Sequence, residues 1–463
     1  MKLFVKSGTL ALMTFITAIC QSASALDIGA IVRAGLKNDP VLREKRLLVD
    51  KALLEKRKLR NAAILPKFEA MVGIGPAPTY SAVEDSTGLF SDKYDFGEIR
   101  PLFGTRIDVL QPLNIQRLRC ALEAADGTIG IARQDVRKAE LETSRMLQNL
   151  CYRFLYAMRM KQLAEEIRKN LRNAVVRIEA ALDDGEADVS QEDLFEVQSY
   201  LYKTEDELLK AERGMKAARC AVFFSISPDT ALLTDSSFAV RDDRIPPLDT
   251  LLILQNDNNP DLRKLSLGID VRTAMKKLRK IEMFPDVYMA GNCKLSRILG
   301  SEEDRQTGLS RLLDPFYDTD ALLGIGLRFS FNVWSRKDEY LTESLELEEL
   351  LRTGVYAQRG LALECENYYY ETEMCRARIQ NAEKAVRTTR SWLNSALMKY
   401  DLDPARTRPL FKAYDKYVEA NTEFCGAVLD YNCAVADLIT SVGLTADEYQ
   451  ALLTKPSAIK EDR

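Results

Sequence analysis

Three kinds of residue in this chain could do chemistry. Adjacent carboxylates occur at Glu165-Glu166, Asp183-Asp184 and Glu302-Glu303, and paired carboxylates serve acid/base catalysis when their environments push their pKa values apart. Here they fall on helical, turn and polar-loop patterns, where such pairs are solvated faces, so no catalytic role is expected. Eight cysteines, Cys120, Cys151, Cys220, Cys293, Cys365, Cys375, Cys425 and Cys433, follow Cys20 of the N-terminal segment, and no two are spaced Cys-x-x-Cys. That spacing argues against a metal centre. Tyr368-Tyr369-Tyr370 reads either as an aromatic contact surface or as packing between helices. Histidine is absent, which removes the commonest general base and the commonest transition-metal ligand. No enzyme activity, metal or cofactor is therefore expected. A net charge of only −4 without a basic tract argues against nucleic acid as a partner.

The elements that position these residues are unusual. From Leu322 to Val333, Leu323, Ile325, Leu327, Phe329, Phe331 and Val333 alternate with Gly324, Gly326, Arg328, Ser330 and Asn332, the period of a strand with one oily face. Gly326-Leu327-Arg328-Phe329 echoes Gly104-Thr105-Arg106-Ile107, 222 positions earlier. Each copy feeds a long proline-free helical pattern. With 463 residues, 46% hydrophobic and 29% charged, the chain suits an internal duplication building one elongated unit from two similar halves.

The N-terminus has an export pattern. Lys2 and Lys6 precede an apolar stretch from Leu10 to Ile19, and Ala23-Ser24-Ala25 offers a small-x-small cleavage site, so residues 1–25 read as a signal peptide. Ile19 stands before Cys20 where lipoprotein processing calls for a small residue, which weighs against a diacyl anchor. No later run of 18 apolar residues exists, so a membrane-spanning form would have to be a closed β-barrel.

The first repeat is expected over 28–226. A helix at 28–63 punctuated by Asn38-Asp39-Pro40 comes first, then strands at about 66–75 and 103–111 joined by a long loop carrying Gly75, Pro76, Pro78, Gly88 and Pro101. Phe68 and Val72 lie on one greasy side, and Ile107 and Val109 on another. Leu147, Leu150, Phe154, Ala157, Met160, Ala164, Ile167, Leu171, Ala174 and Ile178 recur at spacings of three and four, a coiled-coil seam. A turn at Asp183-Asp184-Gly185 and a capping sequence Ser190-Gln-Glu-Asp193 lead into a return helix ending near Phe224. Helices of roughly 70 and 37 residues would span about 105 and 55 Å. Residues 227–248 read as a linker. The second repeat, 249–443, restarts with Asn259-Pro260, has strands at about 285–296 and 322–333, and turns at Asp401–Pro409; a polar tail occupies 444–463. Cys151 with Cys220, and Cys375 with Cys433, would sit level in the two hairpins and could form disulfides; the plainer reading is buried small apolar residues.

In this order the motifs resemble those of the TolC family of outer-membrane efflux proteins. The resemblance rests on the Asn-Pro start of the second repeat and its Asp-Pro echo, on Leu65-Pro66 and Phe284-Pro285 before the first strand of each hairpin, on Gln111-Pro112-Leu113, and on the ending Tyr431–Gly443. It covers essentially all of 28–443. The resemblance implies a mainly α fold with a small β part. Duplicated coiled-coil hairpins would form a periplasmic α-barrel, and four strands per subunit would contribute to a trimeric twelve-stranded outer-membrane β-barrel. It further implies a passive exit duct of a tripartite efflux or type I secretion system, opened by a periplasmic adaptor and an inner-membrane transporter. Arg106, Asp108, Arg328 and Asn332 would face the lumen, and Phe68, Val72, Ile107, Val109, Ile325, Leu327, Phe329 and Phe331 the lipid. Tyr400 and Arg406 resemble gate residues at the periplasmic turn. Asp193 matches a gate aspartate or simply caps its helix. Pro409 and Lys412 stand where some members carry aspartates, so an acidic constriction ring is not implied.

The rival reading is a periplasmic coiled-coil adaptor or structural spacer, which shares the export signal and hairpins but has no use for four alternating strands.

Overall fold

The computed structural model describes residues 28–84, 90–183, 190–226, 239–241, 245–298, 318–328, 332–402 and 407–454. In chain order its elements are α1 (Ile28–Asn38), α2 (Pro40–Ile64), β1 (Lys67–Glu84), β2 (Phe90–Pro112), α3 (Ile115–Asp183), α4 (Gln191–Ile226), α5 (Leu248–Asn258), α6 (Pro260–Ile281), β3 (Asp286–Ile298), β4 (Asp318–Arg328), α7 (Val333–Leu402), α8 (Thr407–Val442) and α9 (Ala446–Thr454). The export segment, Glu302-Glu303 and the end of the tail lie outside the described residues. The chain divides into two compact units, each drawing on both halves of the sequence: Met1–Leu47 with Arg133–Lys264 and Val355–Arg463, and Leu48–Ala132 with Leu265–Gly354.

The first unit is helical. The seam read from spacing is its core: Leu147, Phe154, Ala157, Ala164, Ile167, Leu171 and Ile178 are all buried. Ile31 and Val32 of α1 and Val222 of α4 pack on its upper part, and Val197 of α4 and Phe411 of α8 on its lower part. A second core joins Leu251 of α5 and Cys365 and Cys375 of α7 to Val428, Val435, Leu438 and Val442 of α8.

The echoed prolines mark helix starts, because proline at the first helical position gives up an N–H that has no partner anyway. The residue before each proline is the cap. The Asp39 carboxylate accepts the Val41 N–H at 2.8 Å and the Thr143 hydroxyl at 2.6 Å. Asn259 accepts the Asp261 N–H at 2.9 Å and donates to the Ser441 carbonyl at 3.0 Å. The helix expected at 28–63 is thus two helices broken at Asp39. At the end of α8, Gly443 has φ +89°; its N–H reaches the Thr440 carbonyl and that of Leu444 the Ile439 carbonyl, the two bonds of a Schellman cap. A Cβ there would lie 2.6 Å from the Asn258 carbonyl oxygen, so only glycine fits.

Among the described residues the second unit holds the β structure, one antiparallel sheet in the order β1-β2-β3-β4. Its strands differ from the expected ones. β1 and β2 run through most of the stretch read as a loop from 75 to 101. Pro76 faces Pro101; β1 is an edge strand and Pro101 lies just beyond the last β2–β3 pair, Leu102 with Ile298, so neither proline removes a bond from a fully paired strand. The register shifts between Pro78 and Thr79, a bulge of the kind that accommodates proline. β4 is described as far as Arg328, and Val333, expected as its last residue, instead begins α7. Asn332 lies on the exposed approach to α7, where its carbonyl accepts the Arg336 N–H, and is not a strand residue.

Charged side chains tie helix ends to this sheet. Arg117 of α3 reaches Glu282 at 2.7 Å and Asp286 at 3.2 Å. Arg279 of α6 also bonds Glu282, at 2.9 Å, and Arg336 of α7 donates to the Glu282 carbonyl. Asn114 donates to Asp286 at 2.6 Å and accepts the Val287 N–H at 3.2 Å.

Candidate functional site

The register sorts the sheet's side chains onto two faces of opposite character. Cross-strand partners share a face. Phe68 pairs with Val109, Ala70 with Ile107 and Val72 with Thr105; Val109 pairs with Gly291 and Ile107 with Cys293; Gly291 pairs with Leu323, Met289 with Ile325 and Val287 with Leu327. Phe68, Val72, Ile107, Val109, Ile325 and Leu327 therefore lie on one face. The other carries Lys67, Glu69, Arg106, Asp108, Asn292, Lys294 and Arg328.

The apolar face is open. Phe68 is 68% exposed, Ile74 75% and Ile325 75%. A soluble chain would forgo about 1.5–3 kcal/mol for each such side chain left in water. On the polar face Arg106 pairs with Asp108 at 2.8 Å, Asn292 donates to Asp108, and the Arg328 guanidinium lies 5.3 Å from the Tyr288 ring centre. Tyr288 lies against Gly326, where a Cβ would come within 2.7 Å of its ring. The outer edges of β1 and β4 have no strand partner among the described residues, and four strands are too few to close on themselves.

The turn residues are not brought together among the described side chains. Tyr400 falls in the last turn of α7 with its side chain undescribed, and Arg406, like Phe329 and Phe331, lies outside the described residues. Asp193 is well placed: its carboxylate accepts the Ser190 N–H at 3.0 Å and hydroxyl at 2.7 Å, while the Ser190 hydroxyl oxygen accepts the Asp193 N–H at 3.3 Å. That is a reciprocal capping box. Behind it Phe411 stacks on Tyr200 with ring centres 6.2 Å apart, and burial pushes the Tyr414 hydroxyl up to about 12.

The other reactive groups are in structural roles. All eight described cysteines are free thiols; neither of the two possible disulfides is formed, in line with the plainer reading. Cys151 is buried and Cys220 exposed, so the two occupy different faces of their hairpin. Burial pushes Cys151 up to about 12 and Cys433 up to about 11. Glu165 pairs with Lys161 at 3.7 Å. Tyr368 packs on the second core, and Tyr369 meets Tyr370 edge to face at 5.6 Å. Among the described residues no group of three or more His, Cys, Asp or Glu side chains could hold a metal ion, and no single helix is long and apolar enough to cross a membrane.

One arrangement gave no sequence signal. The Asn432 amide accepts the Arg241 N–H at 3.0 Å and donates to the Ala239 carbonyl at 3.1 Å, pinning the chain between the repeats to α8. The Arg241 guanidinium then reaches Gln148 at 3.3 Å and Tyr152 at 3.5 Å on α3.

Duplicated long hairpins joined to a four-stranded, two-faced sheet define the TolC-like fold of outer-membrane channels. Solved structures with this fold include the CmeC outer-membrane channel of Campylobacter jejuni (TM-score 0.72, 15% identity, covering 92% of this chain and 88% of that one). The MtrE outer-membrane channel of Neisseria gonorrhoeae in its open state matches with TM-score 0.72 and 14% identity over 91% and 89%. The VceC outer-membrane protein of Vibrio cholerae matches with TM-score 0.71 and 13% identity over 90% and 96%. No family model and no curated protein matches the sequence.

Proposed function

We propose that this chain is one subunit of an outer-membrane exit duct, three copies of which close a twelve-stranded barrel and a helical tunnel in the periplasm. The observation that carries this reading is the open sheet: an exposed apolar face, a charged opposite face and two free edges. Lipid would cover Phe68, Val72, Ile107, Val109, Ile325 and Leu327. Water in the lumen would solvate Arg106, Asp108 and Arg328; turned to lipid near the midplane an arginine would cost about 2–4 kcal/mol and an aspartate less. The reading includes an N-terminal export signal, passive passage without chemistry of its own, and opening by a periplasmic adaptor docked to an inner-membrane transporter. Tyr400 and Arg406 are the gate candidates, while Asp193 acts as a helix cap.

The test is fractionation of cells producing the full chain, then mass measurement in detergent. A detergent-requiring trimer from outer membranes is the expected result. A water-soluble periplasmic monomer would overturn the barrel and leave the adaptor reading.

A further inference from the structure

At the helix end of the sheet, a cavity of about 740 Å³ lies between the end of α2, the start of α3 and the polar ends of the strands. That is the size range of sites for drug-like ligands. Leu59 and Ile64 of α2, Leu110 of β2 and Leu113 and Leu118 flanking the start of α3 make most of its wall apolar. Its charged groups are Lys67, Arg117, Arg328 and Asp286. The carboxylate is already taken by Asn114 and Arg117, whereas neither Lys67 nor Arg328 makes an ion pair among the described residues. Gln111 of the wall is 9% exposed, and its Nε2 donates to the Ala63 and Pro112 carbonyls, fixing the end of α2 against β2.

We propose that this cavity binds an anionic amphiphile, with the apolar body against α2 and α3 and the anion drawn by the positive charges of Lys67 and Arg328. A cationic ligand would face two uncompensated positive charges. Lys67, Leu110, Tyr288 and Arg328 share the sheet's polar face, so under the channel reading the site opens towards the lumen. The site itself lies within one unit of one chain and does not depend on that reading.

The experiment uses the full chain purified in a neutral maltoside detergent and titrated with a dansyl-labelled medium-chain fatty acid and its methyl ester. The expected result is one saturable probe per chain. Lys67→Gln combined with Arg328→Gln should weaken the acid about tenfold while leaving the ester unchanged, and Ala62→Trp, on the α2 wall of the cavity, should abolish both by filling it. No saturation above protein-free micelles, or a double variant that binds the acid as tightly as the parent, overturns the site. Mass spectrometry of the protein as extracted separates the sources: an anionic phospholipid that copurifies and is lost in Ala62→Trp identifies membrane lipid, and an empty site that takes the probe identifies a soluble amphiphile. Size measured on the same samples reports the trimer independently, so a failed titration on an intact trimer leaves the channel reading standing.

Discussion

The two faces of the sheet make a pair of adjacent substitutions decisive. Val72 pairs with Thr105 and Met71 with Arg106; both side chains are largely exposed in the single chain, yet they point to opposite faces. Val72 lies five residues beyond the start of β1 at Lys67, about 17 Å along the strand and about 13 Å along the membrane normal at a barrel tilt near 40°. That is close to half of an apolar band about 25 Å tall, so the Val72 side chain would meet lipid near the midplane. Val72→Lys should then cost about 2–4 kcal/mol per chain, and about 6–12 kcal/mol per trimer. The per-chain figure corresponds to about 30- to 700-fold in the insertion equilibrium. Met71→Lys places the same ammonium on the polar face, where the like charge of Arg106 opposite costs under about 1 kcal/mol. The assay is the fraction of detergent-resistant trimer recovered from outer membranes, compared at equal synthesis. Strong loss for Val72→Lys with near-parental recovery for Met71→Lys is expected. Equal recovery of the two, or a greater loss for Met71→Lys, would refute the assignment of lipid to the apolar face.

Other perturbations probe the helical units. Glu282→Ala would remove the carboxylate that Arg117 and Arg279 share while leaving Asp286 to one and Glu339 to the other, and should destabilise the strand–helix junction by about 1 kcal/mol, read as a lower denaturant midpoint. Asn432→Ala orphans the Arg241 N–H and the Ala239 carbonyl, so hydrogen exchange at Arg241 should accelerate by about tenfold or more, from a loss of about 1–3 kcal/mol. Asp193→Asn preserves the acceptor that caps α4 and should leave channel leak unchanged, whereas Asp193→Ala should loosen α4 by about 1 kcal/mol; increased leak in the Asn variant would restore a gating role. At pH 8 the thiolate fractions implied by the raised values of Cys433 and Cys151 are about one in a thousand and one in ten thousand, so iodoacetamide should modify exposed Cys220 well ahead of both. Because burial holds these thiols neutral in the fold, they lower stability as the pH rises from about 9 towards the raised values of about 11 and 12, which alkaline titration of the melting temperature checks.

What could be read from sequence was periodic or punctuated. The seam from Leu147 to Ile178 is visible because burial on a helix repeats every three to four residues, and the faces of the sheet are visible because a strand repeats every two. Asp39-Pro40 and Asn259-Pro260 are visible because capping chemistry is local. What was hidden joins residues far apart in the chain. Asn432 holds a backbone segment 191 positions away, and Arg117 finds Glu282 165 positions away; nothing in either neighbourhood announces its partner. Prolines misled in the other direction, since Pro76, Pro78 and Pro101 are loop signals unless an edge strand and a bulge accommodate them. Ser190-Gln-Glu-Asp193 carried two meanings that only the hydrogen bonds could separate. Cys151 and Cys220 looked level along their hairpin, but one is buried and the other exposed, and a disulfide needs side chains that face each other.

These features also explain how a chain only 13–15% identical to the solved channels can keep their fold over about nine-tenths of its length. A coiled-coil seam requires apolar side chains at a spacing, not particular ones, and volume-conserving exchanges within it cost little. A two-faced sheet requires alternation, and its register follows because a slip of one residue would turn every oily side chain to the charged face. The positions with no freedom are few and of another kind: Gly443, where any Cβ would strike the Asn258 carbonyl, and the capping residues Asp39 and Asn259, which also tie their helices to α3 and α8. Identity can therefore drift through most of the chain while the pattern holds. The cavity beside Lys67 and Arg328 is not fixed by either period, so its charges are free to change while the fold is kept.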